Sequence, residues 1–398
     1  MTTFPVFTPE FFQHPYPMYQ KLREEHPVHR TRFPFTDVDV WLVSRYEDVR
    51  EGLRDARLSS DYRNAPPAFH AAGLAFGGDT VAARTMLNLD APDHTRVRKL
   101  ATATFSARRI AEWAESIETI VAELLDAVPA GEAVDVLDRV ATPLSVKVIC
   151  EIIGAPPSDA ATLRNWADAI FAADPAQRPQ AAKAVDSLID YSAALIADKK
   201  RHLDTDLISD LIRATPELIS EDELLATVLG LVVAGYETTI ALAGDIFLAL
   251  LDHPEQAALL RRDPSLIEAA IEEVLRYDGP TASSFWRFPT EDLEIAGIPI
   301  ATGEPVLFLI GSAHRDPARY PDPDRFDILR EDKRHLAFGH GIHHCLGAQL
   351  ARLESRILLT RTLERFPSMA LAIPRADVVF KPSLIVRGPA FLPVVFTK

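Results

Sequence analysis

The sequence predicts a mainly α fold with a minor β region, built as one unit over residues 1–398. Three observations carry that prediction. From about position 94 to 276 the pattern is helical, broken only by the short stop signals VPAGE, GAPPSD, ADPAQRP and DHPE. Strand-like stretches are brief and fall near 28–44, 281–310 and 370–398. No Gly/Ser linker, low-complexity tract or internal repeat divides the chain, so one large folded unit is preferred over the two or three domains that length alone suggests.

Pro17 to Glu25 reads as a helix, Val28 to Phe33 and Val40 to Ser44 as paired strands, and Glu47 to Ala56 as a second helix. Residues 59–90 mix Pro, Gly and Ala with scattered aromatics, which predicts a long mobile loop of the kind that serves as a lid. The best-marked helix starts at Ser220, where Glu223 completes a capping box, and runs to the stop at His253-Pro254. At ~1.5 Å per residue it is roughly 50 Å long, enough to cross the whole fold. After Pro280 come short strands at Leu293 to Ile295 and Pro305 to Ile310, a loop, a last long helix, and a tail that reads as strand and hairpin.

Composition narrows the function classes. Lys+Arg 42 against Asp+Glu 57 gives a net charge of −15, which argues against nucleic acid as a partner. Two cysteines, Cys150 and Cys345, exclude a disulfide framework and make a reducing cytoplasm the default compartment. The N-terminus has prolines throughout and no basic start before an apolar run, so no signal peptide is expected. The longest apolar stretch, Leu224 to Gly235, is too short for a bilayer and lies between Glu223 and Glu237, so no membrane span is expected.

The strongest chemical signal is Phe338-Gly339-His340-Gly341-Ile342-His343-His344-Cys345-Leu346-Gly347. A cysteine follows a glycine-rich turn and opens a helix whose apolar residues Leu346, Leu350, Leu353 and Ile357 are spaced four, three and four. A sulfur at a helix N-terminus faces free N–H groups and the positive dipole end, both of which favour thiolate. Gly341 and Gly347 let the backbone approach a flat ligand closely. A thiolate so held is a fit axial ligand for haem iron. Cys150, inside the apolar run SVKVIC, reads as a small buried hydrophobe. A structural zinc site wants more cysteines than remain, and a phosphate loop fails because His344 stands where it needs glycine.

Phe338, Gly341, His343, Cys345 and Gly347 match the haem-binding signature of the cytochrome P-450 superfamily, which the chain resembles over nearly its whole length, most closely the soluble bacterial members of secondary metabolism. The resemblance implies a P-450 fold with the long central helix crossing haem b (iron protoporphyrin IX), and Cys345 as the iron's axial ligand. It implies a monooxygenase that inserts one atom of O2 into a hydrophobic small molecule by hydroxylation or epoxidation.

A second motif, Ala234-Gly235-Tyr236-Glu237-Thr238-Thr239, puts an acid and two hydroxyls inside an apolar helix. Burying them unpaired costs roughly 1–3 kcal/mol each. Thr238 can bond back to the carbonyl of Ala234 and open the helix, and Gly235 leaves room for a small ligand. In the family this groove holds dioxygen, and the positions of Glu237 and Thr238 deliver protons. Glu273 and Arg276 lie one turn apart, a common and weak spacing taken alone. The resemblance makes them a buried structural pair joined by Arg325. Haem carries two carboxylates that need buried donors. His94 and Arg98 share one helix face, and the resemblance adds Arg287 and His343 to that clamp. His314 stands where the family usually has Asn, outside the haem pocket, with no expected change in chemistry.

By family placement the substrate pocket draws on Phe69, Leu74, Met86, Leu87, Phe171, Val233, Ala234, Phe285, Trp286, Leu384 and Ile385. That apolar set implies a fairly large hydrophobic molecule, such as a macrolide, polyketide or terpenoid. No flavin or nicotinamide fingerprint occurs, so electrons are expected from a separate ferredoxin and ferredoxin reductase. A basic patch of Arg96, Lys99, Arg108, Arg109, Lys333, Arg334 and Arg352 is expected to receive the ferredoxin. A monomer is expected. The competing readings are a peroxide-driven peroxygenase, an oxidative aromatic-coupling enzyme, and a non-catalytic haem carrier or gas sensor.

Overall fold

The computed structural model describes residues 4–75, 80–171, 178–214 and 219–397. The principal helices are α1 (Tyr16–Glu25), α2 (Tyr46–Arg54), α3 (Asp93–Thr104), α4 (Ala107–Asp126), α5 (Thr142–Ile153), α6 (Ala160–Ile170), α7 (Arg178–Arg201), α8 (Leu207–Ala214), α9 (Glu221–Asp252), α10 (Pro254–Arg262), α11 (Ile267–Asp278) and α12 (Ala348–Arg365). The strands that matter here are β1 (Val28–Arg32), β2 (Asp39–Val43), β3 (Ala133–Asp135), β4 (Leu293–Ile295), β5 (Ile298–Ile300), β6 (Val306–Phe308), β7 (Met369–Leu371) and β8 (Pro393–Phe396). The mainly α class with small sheets is as the sequence predicts.

The anticipated pair β1 and β2 is antiparallel, with Val28 opposite Val43 and Arg32 opposite Asp39. β2 also takes β6 as a parallel neighbour, Trp41 opposite Val306, which draws the late strands onto the N-terminal sheet. Val40, Leu42 and Leu307 are buried there among Tyr19, Tyr62, Phe69, Trp286 and Phe288. That aromatic cluster explains a departure from expectation in residues 59–90. Single helical turns at Tyr62–Asn64, Pro67–Ala71, Val81–Arg84 and Met86–Asn88 replace the open loop. Its ends are stitched together: Ser59 Oγ and the Ser60 N–H (2.9 Å) both donate to the Asp90 carboxylate.

α9 is the axis of the helical part. Ser220 Oγ accepts from the Glu223 N–H (3.2 Å), and the Glu223 carboxylate accepts from the Ser220 N–H (2.8 Å). This is the anticipated capping box, and it satisfies two backbone donors that the first turn would leave open. The helix runs 32 residues, ~48 Å at 1.5 Å per residue. By length and composition it could cross a membrane, but 56% of its most apolar window is buried inside the protein. Val228, Val232, Ile240 and Phe247 pack with Ile117 and Val121 of α4, Leu144 and Val148 of α5, and Leu353 and Ile357 of α12. Each such side chain contributes about 1.5–3 kcal/mol by leaving water.

One correction concerns the C-terminal third, while the tail is strand and hairpin as expected. α12 begins at Ala348 behind Gly347, so Cys345 precedes the helix instead of opening it. The tail forms one strand, β8, which pairs with β3 (Val394 opposite Val134) and β7 (Val394 opposite Leu371). Residues 380–389 do fold back as a hairpin, closed by a Phe380–Pro389 bridge and a Lys381 N–H to Gly388 carbonyl bond of 3.0 Å. Pro382 and Pro389 lack N–H groups, so this hairpin does not extend into a ladder.

Candidate active site

The cysteine loop is built on two left-handed glycines, Gly339 (φ 74°) and Gly341 (φ 78°). A Cβ on Gly341 would lie 3.0 Å from the Arg54 Cα and the Leu53 carbonyl oxygen of α2, so both φ and space demand glycine. The Cys345 N–H donates to the Phe338 carbonyl (2.8 Å) and the Gly339 N–H to the Leu336 carbonyl (2.8 Å), closing the turn. Arg352 of α12 lies over the Phe338 ring at 4.5 Å.

Cys345 is exposed as a residue. Desolvation nevertheless pushes its thiol up, opposed by the Gly347 N–H and by the Arg98 and Arg352 guanidiniums. The expected backbone contribution toward thiolate is present as the Gly347 N–H, but it is smaller than the opposing desolvation. Lying ahead of the first helical turn, the sulfur receives one backbone N–H, which does not offset desolvation. A coordinated metal cation would favour the charged sulfur further.

The cysteine loop and α3 bring together a set of cationic and imidazole groups, with Asp90 as the acidic group acting on His94 and Arg287. Arg98 of α3 donates to the His344 carbonyl (2.5 Å). His94, one turn earlier, places its ring 4.3 Å from that of His343. Both His94 ring nitrogens are buried with no partner, and desolvation lowers its pKa. His343 is pushed down to about 2, first by desolvation and then by Arg287, His94 and Arg98; its Nε2 lies 3.0 Å from Ser60 Oγ. Arg287 is buried and donates to the carbonyl of Trp286 (3.1 Å). Desolvation lowers its pKa to about 10, with Asp90 and Tyr62 opposing.

Neither Arg98 nor Arg287 has an ion-pair partner among the described residues. A buried arginine without an ion-pair partner is costly, and Arg287, with half-buried Arg98 and an orphaned imidazole beside it, fits the two carboxylates of a porphyrin. These residues fit haem b. Arg287→Leu is expected to speed haem loss to an acceptor globin roughly ten- to a hundredfold, the equivalent of one charged hydrogen bond at about 1.5–3 kcal/mol. Unaltered haem transfer would remove Arg287 from the clamp.

In mid α9, Thr238 Oγ1 donates to the Ala234 carbonyl (2.8 Å), as expected. The helix is not opened by it and stays continuous. Ser145 Oγ of α5 lies 3.3 Å from the Gly235 carbonyl and 3.2 Å from that of Tyr236. Ala234 is exposed and Val233 and Thr238 are half-buried. A Cβ on Gly235 would meet Ile149 of α5 at an ordinary 3.5 Å. Glu237 is buried and ion-paired to Lys381 at 2.6 Å.

The structural pair is confirmed in part. Arg276 and Glu273 are fully buried and joined at 2.8 and 2.9 Å. Arg276 also donates to the carbonyls of His314 (3.0 Å), Pro323 (2.8 Å) and Arg325 (3.1 Å). The third side chain is Arg330, 3.2 Å from Glu273, and not Arg325. Arg325 is exposed and pairs with Asp327, because its backbone carbonyl is already the acceptor for Arg276. His314 is buried and accepts the Leu336 N–H at 2.8 Å. It braces the segment before the cysteine loop, a structural role consistent with its expected place outside the chemistry.

The expected pocket residues divide. Phe69 and Trp286 are packed ring to ring (5.4 Å) in the N-terminal aromatic cluster and present no pocket surface, because mutual burial of the rings outcompetes exposure. Leu74 and Leu384 sit at the edge of that cluster. Met86, Leu87 and Ile385 are half-buried, and Phe285 is 38% exposed. Phe171 stacks on Tyr236 at 6.2 Å. The anticipated basic patch is largely neutralised: Arg96 pairs with Glu223, Arg108 and Arg109 with Glu112, Arg334 with Asp332 and Arg352 with Glu272. Sequence reasoning missed Lys381, Arg330, Ser60 and Asp90. Their partners are distant in the chain, so no local spacing marks them.

A family model described as Cytochrome P450 matches residues 160–265 and 261–372. The chain is 42% identical over 392 residues to cytochrome P450 monooxygenase PikC of Streptomyces venezuelae, covering 97% of this chain and 92% of that protein. It is 39% identical over 403 residues to 6-deoxyerythronolide B hydroxylase of Saccharopolyspora erythraea, covering 99% of each. Among solved structures, the bacillaene polyketide synthase cytochrome P450 PksS of Bacillus subtilis superposes with a TM-score of 0.92 at 36% identity, over 100% of both chains.

Proposed function

This chain belongs to the cytochrome P450 family, and from that premise we propose a soluble, cytoplasmic monooxygenase, one domain over residues 1–398, that oxidises a polyketide-like small molecule. The enzyme class and the haem cofactor come with the family. The observation that carries the reading is the Cys345 sulfur near the Arg98 guanidinium, in a loop whose His343 faces the orphaned ring of His94 and the buried Arg287, which has no ion-pair partner among the described residues.

Haem b, when bound, supplies dioxygen activation and transfer of one oxygen atom. Balanced over the cycle, substrate, O2, two electrons and two protons give oxygenated product and water. Cys345 holds the iron as thiolate, with the Gly347 N–H and the Arg98 and Arg352 charges favouring the ionised sulfur. Arg98, Arg287, His94 and His343 hold the carboxylates. Glu237 takes protons inward, and Thr238, its hydroxyl tied to Ala234, passes them to the oxygen side. Ala234 and Val233 face the reacting substrate, while Leu74, Met86, Leu87, Phe171, Phe285, Leu384 and Ile385 exclude water from it. The relatives named for polyketides support the substrate class, and the apolar lining supports its size. Electrons come from a ferredoxin and its reductase to the monomeric enzyme.

A substrate library screened by haem spectral shift tests this reading, with polyketides and macrolides expected to give the largest shifts. If only small polar molecules shift the spectrum, the substrate class is wrong. Thr238→Ala is expected to keep haem but lower product formed per electron about tenfold, less than the about 10²–10⁴ of a fully placed proton donor because water substitutes. The lost electrons appear as peroxide. Full retention of product yield would take Thr238 out of the proton path.

A further inference from the structure

The geometry points to Lys381 as a positioning residue for the oxidation, holding the Glu237 carboxyl group aimed from the C-terminal hairpin; this rests on the reading that Glu237 carries protons. Lys381 Nζ lies 2.6 Å from Glu237 Oε1, and no other side chain bonds that carboxylate among the described residues. Glu237 is 6% exposed.

The lysine is placed by backbone contact and not by chance of a surface side chain. A Cβ on Gly388 would stand 2.8 Å from the Ala241 Cβ, and one on Gly244 would stand 3.0 Å from Pro389. The hairpin therefore seats on α9 at positions 237, 241 and 244, one face of the helix. Its outer strand is clamped by Gln13, which donates to the Phe380 carbonyl and accepts its N–H, both at 2.8 Å. Its turn is tied by Ser283 Oγ to the Leu384 carbonyl (2.6 Å) and by the Ala282 N–H to the Ile385 carbonyl (2.9 Å). Held at both ends, residue 381 delivers its ammonium to one place. The same turn carries Leu384 and Ile385, so the ribbon that meets substrate also fixes the acid.

The Lys381 side chain is about a third exposed, so substitution there is compatible with folding. Lys381→Met, Lys381→Arg, Glu237→Gln and the Met/Gln double variant are to be compared as haem-loaded enzymes. Product per O2 consumed, the solvent isotope effect on turnover and the spectral-shift affinity for substrate are read for each. Lys381→Met is expected to fall to the level of Glu237→Gln, at least about fivefold below wild type, with substrate affinity within about twofold. Lys381→Arg restores the yield, and the double variant is no worse than Glu237→Gln alone. If Lys381→Met keeps product yield and isotope effect while Glu237→Gln loses them, the lysine is a mere staple and this inference falls. If both variants match wild type, the proton role of Glu237 falls and takes this inference with it.

Discussion

Cys345→Ser is expected to abolish the long-wavelength Soret band that thiolate ligation gives the reduced carbonyl complex, and monooxygenase turnover with it. The loss should exceed a hundredfold, because altering even a group behind the ligand costs about 10–100-fold. A serine hydroxyl is shorter than the thiol and a poor donor to iron, and the surroundings that already push the thiol up would hold the alcohol neutral. Haem content is the control. A serine variant that loads haem yet lacks the band isolates the sulfur. One that retains band and turnover removes Cys345 from the metal.

The second large effect lies away from the chemistry. Arg276→Leu leaves Glu273 buried and stripped of its main partner, together with the His314 and Pro323 carbonyls, which lose their donor, while the Arg325 carbonyl keeps Arg330. Breaking such a pair costs about 3–5 kcal/mol. Against a total stability of about 5–15 kcal/mol, that loss removes a large share of the folding free energy and is expected as a large drop in denaturant midpoint. Denaturant midpoints measured with Arg330→Leu and Arg325→Ala beside it sort the network. Arg330→Leu is expected to be intermediate, and Arg325→Ala to change stability by no more than about 0.5 kcal/mol, as for an exposed side chain. A larger loss for Arg325→Ala than for Arg330→Leu would reverse that assignment.

Features set by neighbours in the chain were legible beforehand. The capping box at Ser220 and Glu223, the β1–β2 pair, and the glycines of the cysteine loop each obey a rule that spans a few residues. The Thr238 to Ala234 bond was legible for the same reason, lying within one helical turn. What escaped was set across the fold. Glu237 meets Lys381 from 144 positions away, and Glu273 meets Arg330 from 57. Arg325 and Arg330 are alike in type and near one another, and only the path of the backbone decides which guanidinium turns inward. Phe69 and Trp286 were misplaced by the converse effect: an aromatic that could line a pocket gains more by stacking on other rings.

The grip on the cofactor joins very distant parts of the chain: Arg98 reaches His344 across 246 positions and Ser60 reaches His343 across 283. A tightly held porphyrin in that spot works as a reversible cross-link, closing loops whose closure entropy the polypeptide would otherwise bear alone. Robustness and iron nutrition thereby become one quantity. Each tenfold rise of free haem above its dissociation constant adds about 1.4 kcal/mol to the folded state, so a cell short of haem holds a softer, more protease-prone version of the same chain.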